Sequence, residues 1–222
     1  MKNKEIKKAV SSDRKQRIKK AVTPYREWEI KKVFCEVQSL AFFKGRNMSK
    51  FRFFHINEHY VSYLHSVDNK VQFNKGQKRP YLGVVLSINT VDYFVPLESP
   101  KPNHANIKSG GPVMKLDGGK LGIMGFNNMI PVIPSCLIPF DIQQESDEKY
   151  KNLLLNQLEF CNKNRETILH RAETTYQKVK SGKVPHYKKV CCNFEKLERK
   201  CQKYDPDYFK KKKAKATIPD KE

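Results

Sequence analysis

The alternation of apolar and polar positions divides the chain into a β-rich middle and a helical C-terminal part. "KFRFFHI" predicts a short aromatic strand over Phe51 to Ile56. Asn57 then stands as N-cap of a helix reaching about Asp68, whose Tyr60, Val61 and Leu64, with Tyr63 and Val67, recur at three- and four-residue spacings and form one apolar face. "DNKVQFNKGQKRP" is a polar connection. "YLGVVLSI" and "DYFVPL" follow as two β-rich runs joined by Asn89, Thr90 and Val91, the pattern of a hairpin. "GPVMKLD", "GGKLGIMGF" and "MIPVIPSCLIPF" predict further short strands, with glycines and prolines marking their ends and edges. From Ser146 to about Gly182 the pattern turns helical, with Leu153, Leu154, Leu155, Leu158 and Ile168 as apolar positions, and Asn193 caps a last helix, "FEKLERKCQKY". The expected fold is α+β, with an antiparallel middle.

Charge then narrows the partner. The chain of 222 residues carries a formal charge of +21. Of this, +10 falls on residues 1–50, +9 on 51–204 and +2 on the last 18, so the basic excess belongs to the globular part as well as to its ends. A polyanion is the expected partner. No apolar stretch approaches the roughly 20 residues that span a bilayer, and no signal-like segment opens the chain, so the expected location is the cytoplasm. A membrane-surface protein held by its lysine-rich ends remains a third reading. The six cysteines form no CxxC pair and no zinc spacing, so reduced, mostly buried thiols are expected and no metal or cofactor is assigned.

Three domains are expected: a basic N-terminal extension over 1–47, a globular domain over 48–204 and a lysine-rich tail over 205–222. Within the extension, "IKKAVSSDRKQR", "IKKAVTPYREWE" and "IKKVFCEVQSLA" begin at Ile6, Ile18 and Ile30, a register of twelve residues. Twelve is too short for a solenoid repeat.

The candidate chemistry lies in "VPLESPKPNHANIK", Val95 to Lys108. Ser99, Lys101, His104 and Lys108 bring a hydroxyl, two ammonium groups and an imidazole within ten residues, on a loop stiffened by Pro96, Pro100 and Pro102. Arg79 stands at the start of the preceding strand, able to approach the same sheet edge. RNA cleavage without a metal needs the 2′-hydroxyl deprotonated, the phosphate charge stabilised and the 5′-oxygen protonated, tasks such groups can share. A solvated connector is the competing reading of the same loop.

"FFHINEHYVSYL", "RPYLGVVLSI", "YFVPLESPKPNH" and "LGIMGFNNMIPV" resemble, in order and spacing, the ToxN/AbiQ family of endoribonuclease toxins of type III toxin-antitoxin systems, from about Met48 to Tyr204. The resemblance implies a MazF-like core, a twisted antiparallel sheet or partial barrel with surrounding helices. It implies a metal-independent RNase leaving a 2′,3′-cyclic phosphate, acting on mRNA and on its own repeat antitoxin precursor in phage abortive infection. A pseudoknotted antitoxin RNA would hold it inactive, within a closed protein-RNA ring, and no DNA partner is expected. Carried onto this sequence, it makes Ser99, Lys101 and Arg79 the candidate catalytic residues. Tyr60, His104, Lys108, Asn127 and Glu98 are candidate RNA contacts, with a core role the alternative for Tyr60 and a plain turn the alternative for Asn127.

Two positions depart from the family pattern. Glu98 replaces the usual Thr or Ser and Asn103 the frequent Lys. Glu98 lowers the local positive potential, acts as a base or points to the other strand face, and if it spoils the site the chain is a non-catalytic RNA-binding protein using the same groove. In this family the antitoxin repeats lie upstream of the toxin gene, and twelve codons make a 36-nucleotide period. Residues 1–47 are therefore read either as translated leader DNA, with the domain starting at "MSKFRFF", or as a genuine basic RNA-binding arm.

Overall fold

The structure, a computed structural model, describes residues 50–208 apart from 77, 89 and 109. The N-terminal extension with its twelve-residue register, Cys35 and the tail from residue 209 onward lie outside the described residues.

Among the described residues, seven strands form one antiparallel sheet: β1 (Arg52–Ile56), β2 (Tyr81–Ile88), β3 (Val91–Glu98), β4 (Val113–Lys115), β5 (Ile123–Gly125), β6 (Ile130–Val132) and β7 (Leu137–Pro139). The order is β4-β5-β3-β2-β1-β7, with β6 also on β3, and the sheet does not close. Strand β3 is the hub. It pairs with β2 on one side, while its other edge is shared by β6 against Asp92–Phe94 and β5 against Leu97 and Glu98. Covered on both faces, β3 is buried from Tyr93 to Leu97, which explains why its sequence reads as a continuous apolar run rather than an alternating one.

The two faces of β3 pack differently. The Tyr93 ring meets Tyr176 and Phe194 edge-on at 5.9 and 5.8 Å, and its hydroxyl donates to Glu198 Oε1 at 2.6 Å. Phe94, pointing the other way, packs edge-on to Phe54 at 5.4 Å and lies across Gly83, where a Cβ would fall 2.1 Å from the ring. Each such buried side chain contributes roughly 1.5–3 kcal/mol over an exposed one.

Among the described residues, five helices surround the sheet: α1 (Glu58–Val67), α2 (Glu148–Lys163), α3 (Arg165–Ser181), α4 (Pro185–Val190) and α5 (Phe194–Cys201). Helix α1 begins where the sequence places it, with Asn57 Oδ1 accepting from the Tyr60 backbone N–H at 3.2 Å, and it buries Tyr60, Val61, Tyr63 and Leu64. The helical stretch expected from Ser146 to Gly182 is two helices. Asn164 caps α2, the chain restarts as α3, and Gly182 ends α3 at φ +65°. Leu154 and Ile168 enter the core, whereas Leu155 faces solvent.

Asn193 caps α5 by accepting from the Lys196 N–H at 3.0 Å. Helix α4 has no counterpart in the expected elements. Its six residues are too few for a periodic pattern, and its start is marked by Pro185 at the first turn. The five described cysteines are free and buried, and burial pushes Cys136, Cys161 and Cys191 up to about 12. No helix among the described residues is long and apolar enough to cross a membrane.

Candidate active site at the end of the β2–β3 hairpin

Antiparallel register builds the site. Tyr81 pairs with Pro96; one step outward the Leu97 N–H donates to Pro80 O at 3.1 Å, and a second step sets Arg79 across from Glu98. The hairpin therefore brings the arginine before β2 and the loop after β3 to one end of the sheet. Glycine supports the same corner from beneath. Gly122, at φ +93°, passes so close to the end of β3 that a Cβ there would lie 1.9 Å from the Glu98 carbonyl oxygen.

Glu98 links the cations. Its Oε2 accepts from Lys101 Nζ at 2.6 Å, and its Oε1 lies 3.5 Å from Arg79 Nη1. Burial pulls the Glu98 carboxyl upward, but the Lys101 hydrogen bond and the two positive charges outweigh it and hold the group below the ordinary glutamate value. Arg79 is 8% exposed. Its guanidinium also donates to Gln72 Oε1, its backbone N–H donates to Asn74 O at 3.3 Å, and Asn74 Nδ2 donates to Ile56 O, anchoring this segment to β1. Lys101 has a side chain 45% exposed, and Ser99 is exposed beside it. A pocket of about 60 Å³ opens beside Arg79, Glu98 and Ser99, lined also by Lys75, Lys78, Pro80, Leu97, Tyr150 and Gln157, while Lys101 stays outside its wall and reaches it through Glu98. Arg79 and Ser99 thus share this cavity with Glu98, and Lys101 joins them through its ion pair with Glu98.

The expected RNA contacts divide. Lys108 is exposed after the loop, and Glu98 lines the cavity. Tyr60 does not reach a surface. It is 0% exposed, its hydroxyl donates to Pro131 O at 2.6 Å, and Tyr204 packs edge-on against its ring, so the expectation of an RNA contact is corrected to a core role. His104 is likewise turned inward at 4% exposed, inside the 3-10 turn Pro102–Asn106, whose Ala105 carbonyl accepts from Lys115 Nζ at 2.9 Å. Its place is within the loop rather than on a ligand. Asn127 turns the chain: its N–H donates to Pro112 O, its carbonyl accepts from Cys192 N–H at 2.9 Å, and its side chain reaches Val190 O at 3.5 Å. It does not line the cavity.

Several neighbours of the cavity come from segments that sequence reasoning left aside. Lys75 and Lys78 lie in what reads as a polar connection, where their density just before Arg79 was the available signal. Tyr150 and Gln157 are seven residues apart on α2 and so share one face. Gln157, only 2% exposed, donates to Leu121 O at 2.7 Å and ties α2 to the stretch carrying Gly122. A larger cleft of about 380 Å³ lies among α3, α4 and α5, but its Lys70 ammonium already donates to the Lys188 and Cys191 carbonyls, and it gathers neither a carboxylate–cation bridge nor a loop hydroxyl. Among the described residues no three His, Cys, Asp or Glu side chains group as a metal site.

A hydroxyl, an ammonium and a guanidinium gathered at one end of an antiparallel sheet, on a chain of charge +21, make an α+β protein with a cationic corner suited to an anionic ligand. The sequence family described as "Toxin ToxN, type III toxin-antitoxin system" matches residues 52–202. The chain belongs to this ToxN family of type III toxin-antitoxin endoribonucleases. It is similar to endoribonuclease ToxN of Bacillus thuringiensis subsp. kurstaki, at 38% identity over 162 residues covering 69% of this chain and 84% of the relative. Among solved structures it resembles a type III toxin inhibited by a non-coding RNA pseudoknot, with TM-score 0.62, 37% identity and coverage of 70% and 98% of the two chains. It also resembles AbiQ, a lactococcal anti-phage endoribonuclease, with TM-score 0.64, 30% identity and the same coverage.

Proposed function

We propose that this chain is a metal-independent endoribonuclease toxin that cuts mRNA and its own repeat antitoxin precursor, leaving 2′,3′-cyclic phosphate ends, with Ser99, Lys101 and Arg79 as its catalytic residues. The observation that carries the reading is the hairpin register, which sets Arg79 against the Glu98–Lys101 loop at one cavity. Ser99 orients the scissile phosphate, Lys101 meets the charge that develops on it, and Arg79, fixed by Gln72, holds the local field. Lys108, with Lys75 and Lys78, guides the RNA backbone toward the cavity.

The solved relative inhibited by an RNA pseudoknot favours the same kind of antitoxin here. Repeating RNA units joined head to tail by protein would close into a ring. The anti-phage relative favours a role in abortive infection, and an RNA substrate calls for a cytoplasmic location. A second reading, RNA binding without catalysis, draws on one observation, the carboxylate of Glu98 lying against both cations.

Cleavage of an mRNA transcript in EDTA decides between them. The wild-type chain is expected to cut, and Ser99→Ala and Lys101→Ala are each expected to lose about 10²–10⁴-fold in rate while binding RNA within a few-fold of wild type. Uncut RNA with wild-type binding selects the non-catalytic reading, and cutting that returns only with added Mg²⁺ overturns the metal-independent one.

A further inference from the structure

We propose that Glu98 is the general base of the cleavage, taking the proton of the attacking 2′-hydroxyl, and that Lys101 is its partner acid at the 5′-oxygen. This rests on the reading of the cavity as the active site and adds what that reading leaves open, where the protons go.

The composition of the cavity points to Glu98. Lysine ammonium and arginine guanidinium groups offer no lone pair. Ser99 is a hydroxyl and Gln157 an amide, and burial raises the Tyr150 phenol further above its usual value. Among the described residues lining the cavity, only the Glu98 carboxylate accepts a proton readily near neutral pH. His104, the nearby imidazole, is enclosed in its turn and does not line the cavity. The carboxylate is also fixed in place: its backbone ends β3 opposite Ile123, Gly122 packs beneath its carbonyl, and each of its oxygens faces a cation.

A carboxylate held by two cations is a weak base, and the substrate reverses this. A phosphate entering the cavity competes for Lys101 and Arg79 and adds a second negative charge beside Glu98, and both changes raise the carboxylate's proton affinity. The base is strengthened only when the anion to be cleaved is in place.

The proton balance closes within the pair. Glu98 takes the 2′-hydroxyl proton as the 2′-oxygen bonds to phosphorus, and Lys101 gives a proton to the 5′-oxygen as the phosphorus–oxygen bond breaks. The products are a 2′,3′-cyclic phosphate and a 5′-hydroxyl. The protonated carboxyl and the neutral amine then exchange one proton across their 2.6 Å contact, restoring the starting pair.

The test is single-turnover cleavage of one in vitro mRNA transcript by the full chain in EDTA across pH 5–9, beside binding of a 2′-O-methyl version of that transcript. The titratable and charged groups facing Glu98 are Arg79, Lys101, Lys75, Lys78, Tyr150 and His104. Glu98→Gln is expected to slow cleavage by about 10²–10⁴-fold, to bind the 2′-O-methyl RNA within about threefold of wild type, and to lose the acid limb of the pH–rate profile. Glu98→Asp is expected to keep that limb at an intermediate rate, and His104→Asn to keep it at near wild-type rate.

Glu98→Gln that cuts as fast as wild type, or faster with tighter binding, overturns the proposal and makes Glu98 a stand-in for the phosphate. Loss of RNA binding in both Glu98 variants overturns it in favour of a structural role. If Glu98→Gln cuts while Ser99→Ala and Lys101→Ala do not, the base is refuted and the site stands. Wild-type cutting by all three variants refutes the site itself.

Discussion

The imidazole of His104 sits inside the Pro102–Asn106 turn with Nδ1 enclosed and unpartnered. Burial lowers its pKa, Glu98 raises it in part, and Lys101 and Lys115 lower it again. Folding therefore favours the neutral ring, whereas the unfolded chain takes up the proton near pH 6.5. Below that value the unfolded state binds more protons than the folded one, so the His104 contribution to stability is present above about pH 6.5 and is lost as pH falls through the window beneath it. Thermal unfolding between pH 7.5 and 5.5 is expected to show a larger fall in Tm for the wild-type chain than for His104→Asn. His55, also lowered by burial, supplies an acid-side loss that both proteins keep. An equal fall in the two proteins would mean that His104 is neutral in neither state's favour.

The same residue illustrates what a sequence carries and what it does not. That Arg79 lies near the loop bearing Ser99 and Lys101 was legible, because a hairpin brings the start of its first strand to the end of its second. Whether His104 or Tyr60 points outward depends on residues from other segments: Lys115, which binds the Ala105 carbonyl of the His104 turn, and Tyr204, which packs against the Tyr60 ring. A tyrosine on an amphipathic helix face serves a core or a rim equally well until its hydroxyl finds Pro131 O.

At the level of elements, β5 lies against the end of β3 because residue 122 has no side chain. Gly122→Ala would set a Cβ 1.9 Å from the Glu98 carbonyl and force alanine to φ +93°. The expected loss is about 2–4 kcal/mol of stability, read by urea unfolding. Cleavage is expected to fall by more than the unfolded fraction accounts for, because β5 and the end of β3 must part where Glu98 sits. Gly118→Ala is the control: its φ of +65° carries backbone strain alone, with open space around the Cβ, and costs about 1–2 kcal/mol with cleavage retained. A folded, fully active Gly122→Ala would show that the end of β3 tolerates displacement.

Most strands were legible from β-rich runs bounded by turns, and the hairpin of β2 and β3 most of all. The break at Asn164 was not, because the asparagine there is a cap signal with no glycine or proline beside it to mark a stop. Nor was the sharing of one edge of β3 between β5 and β6, since both runs are short and apolar and nothing local selects which half of β3 each takes.

Over the whole molecule, net charge foretells a polyanion but says nothing about where it runs. Residues 51–204 carry +9, and four exposed lysines, Lys75, Lys78, Lys101 and Lys108, lie in the segments that flank the cavity or line it. If each neutralises one phosphate of single-stranded RNA, log–log plots of affinity against salt should have a slope near ~−2.8, at about −0.7 per phosphate, a loss of roughly 50-fold between 50 and 200 mM salt. Replacing Lys75 and Lys78 together by alanine should halve that slope, leaving the cleavage rate of bound RNA close to wild type, because these side chains position the backbone and do not touch the reacting bonds. The measurement is binding of a 2′-O-methyl transcript to the full chain at four salt concentrations, followed by single-turnover cleavage of the unmodified RNA. An unchanged slope in the double variant would move the RNA path away from this corner, toward the lysines of the α3–α4–α5 cleft or the basic extension. A steeper loss of cleavage than of binding would instead place one of the two lysines at the reacting phosphate.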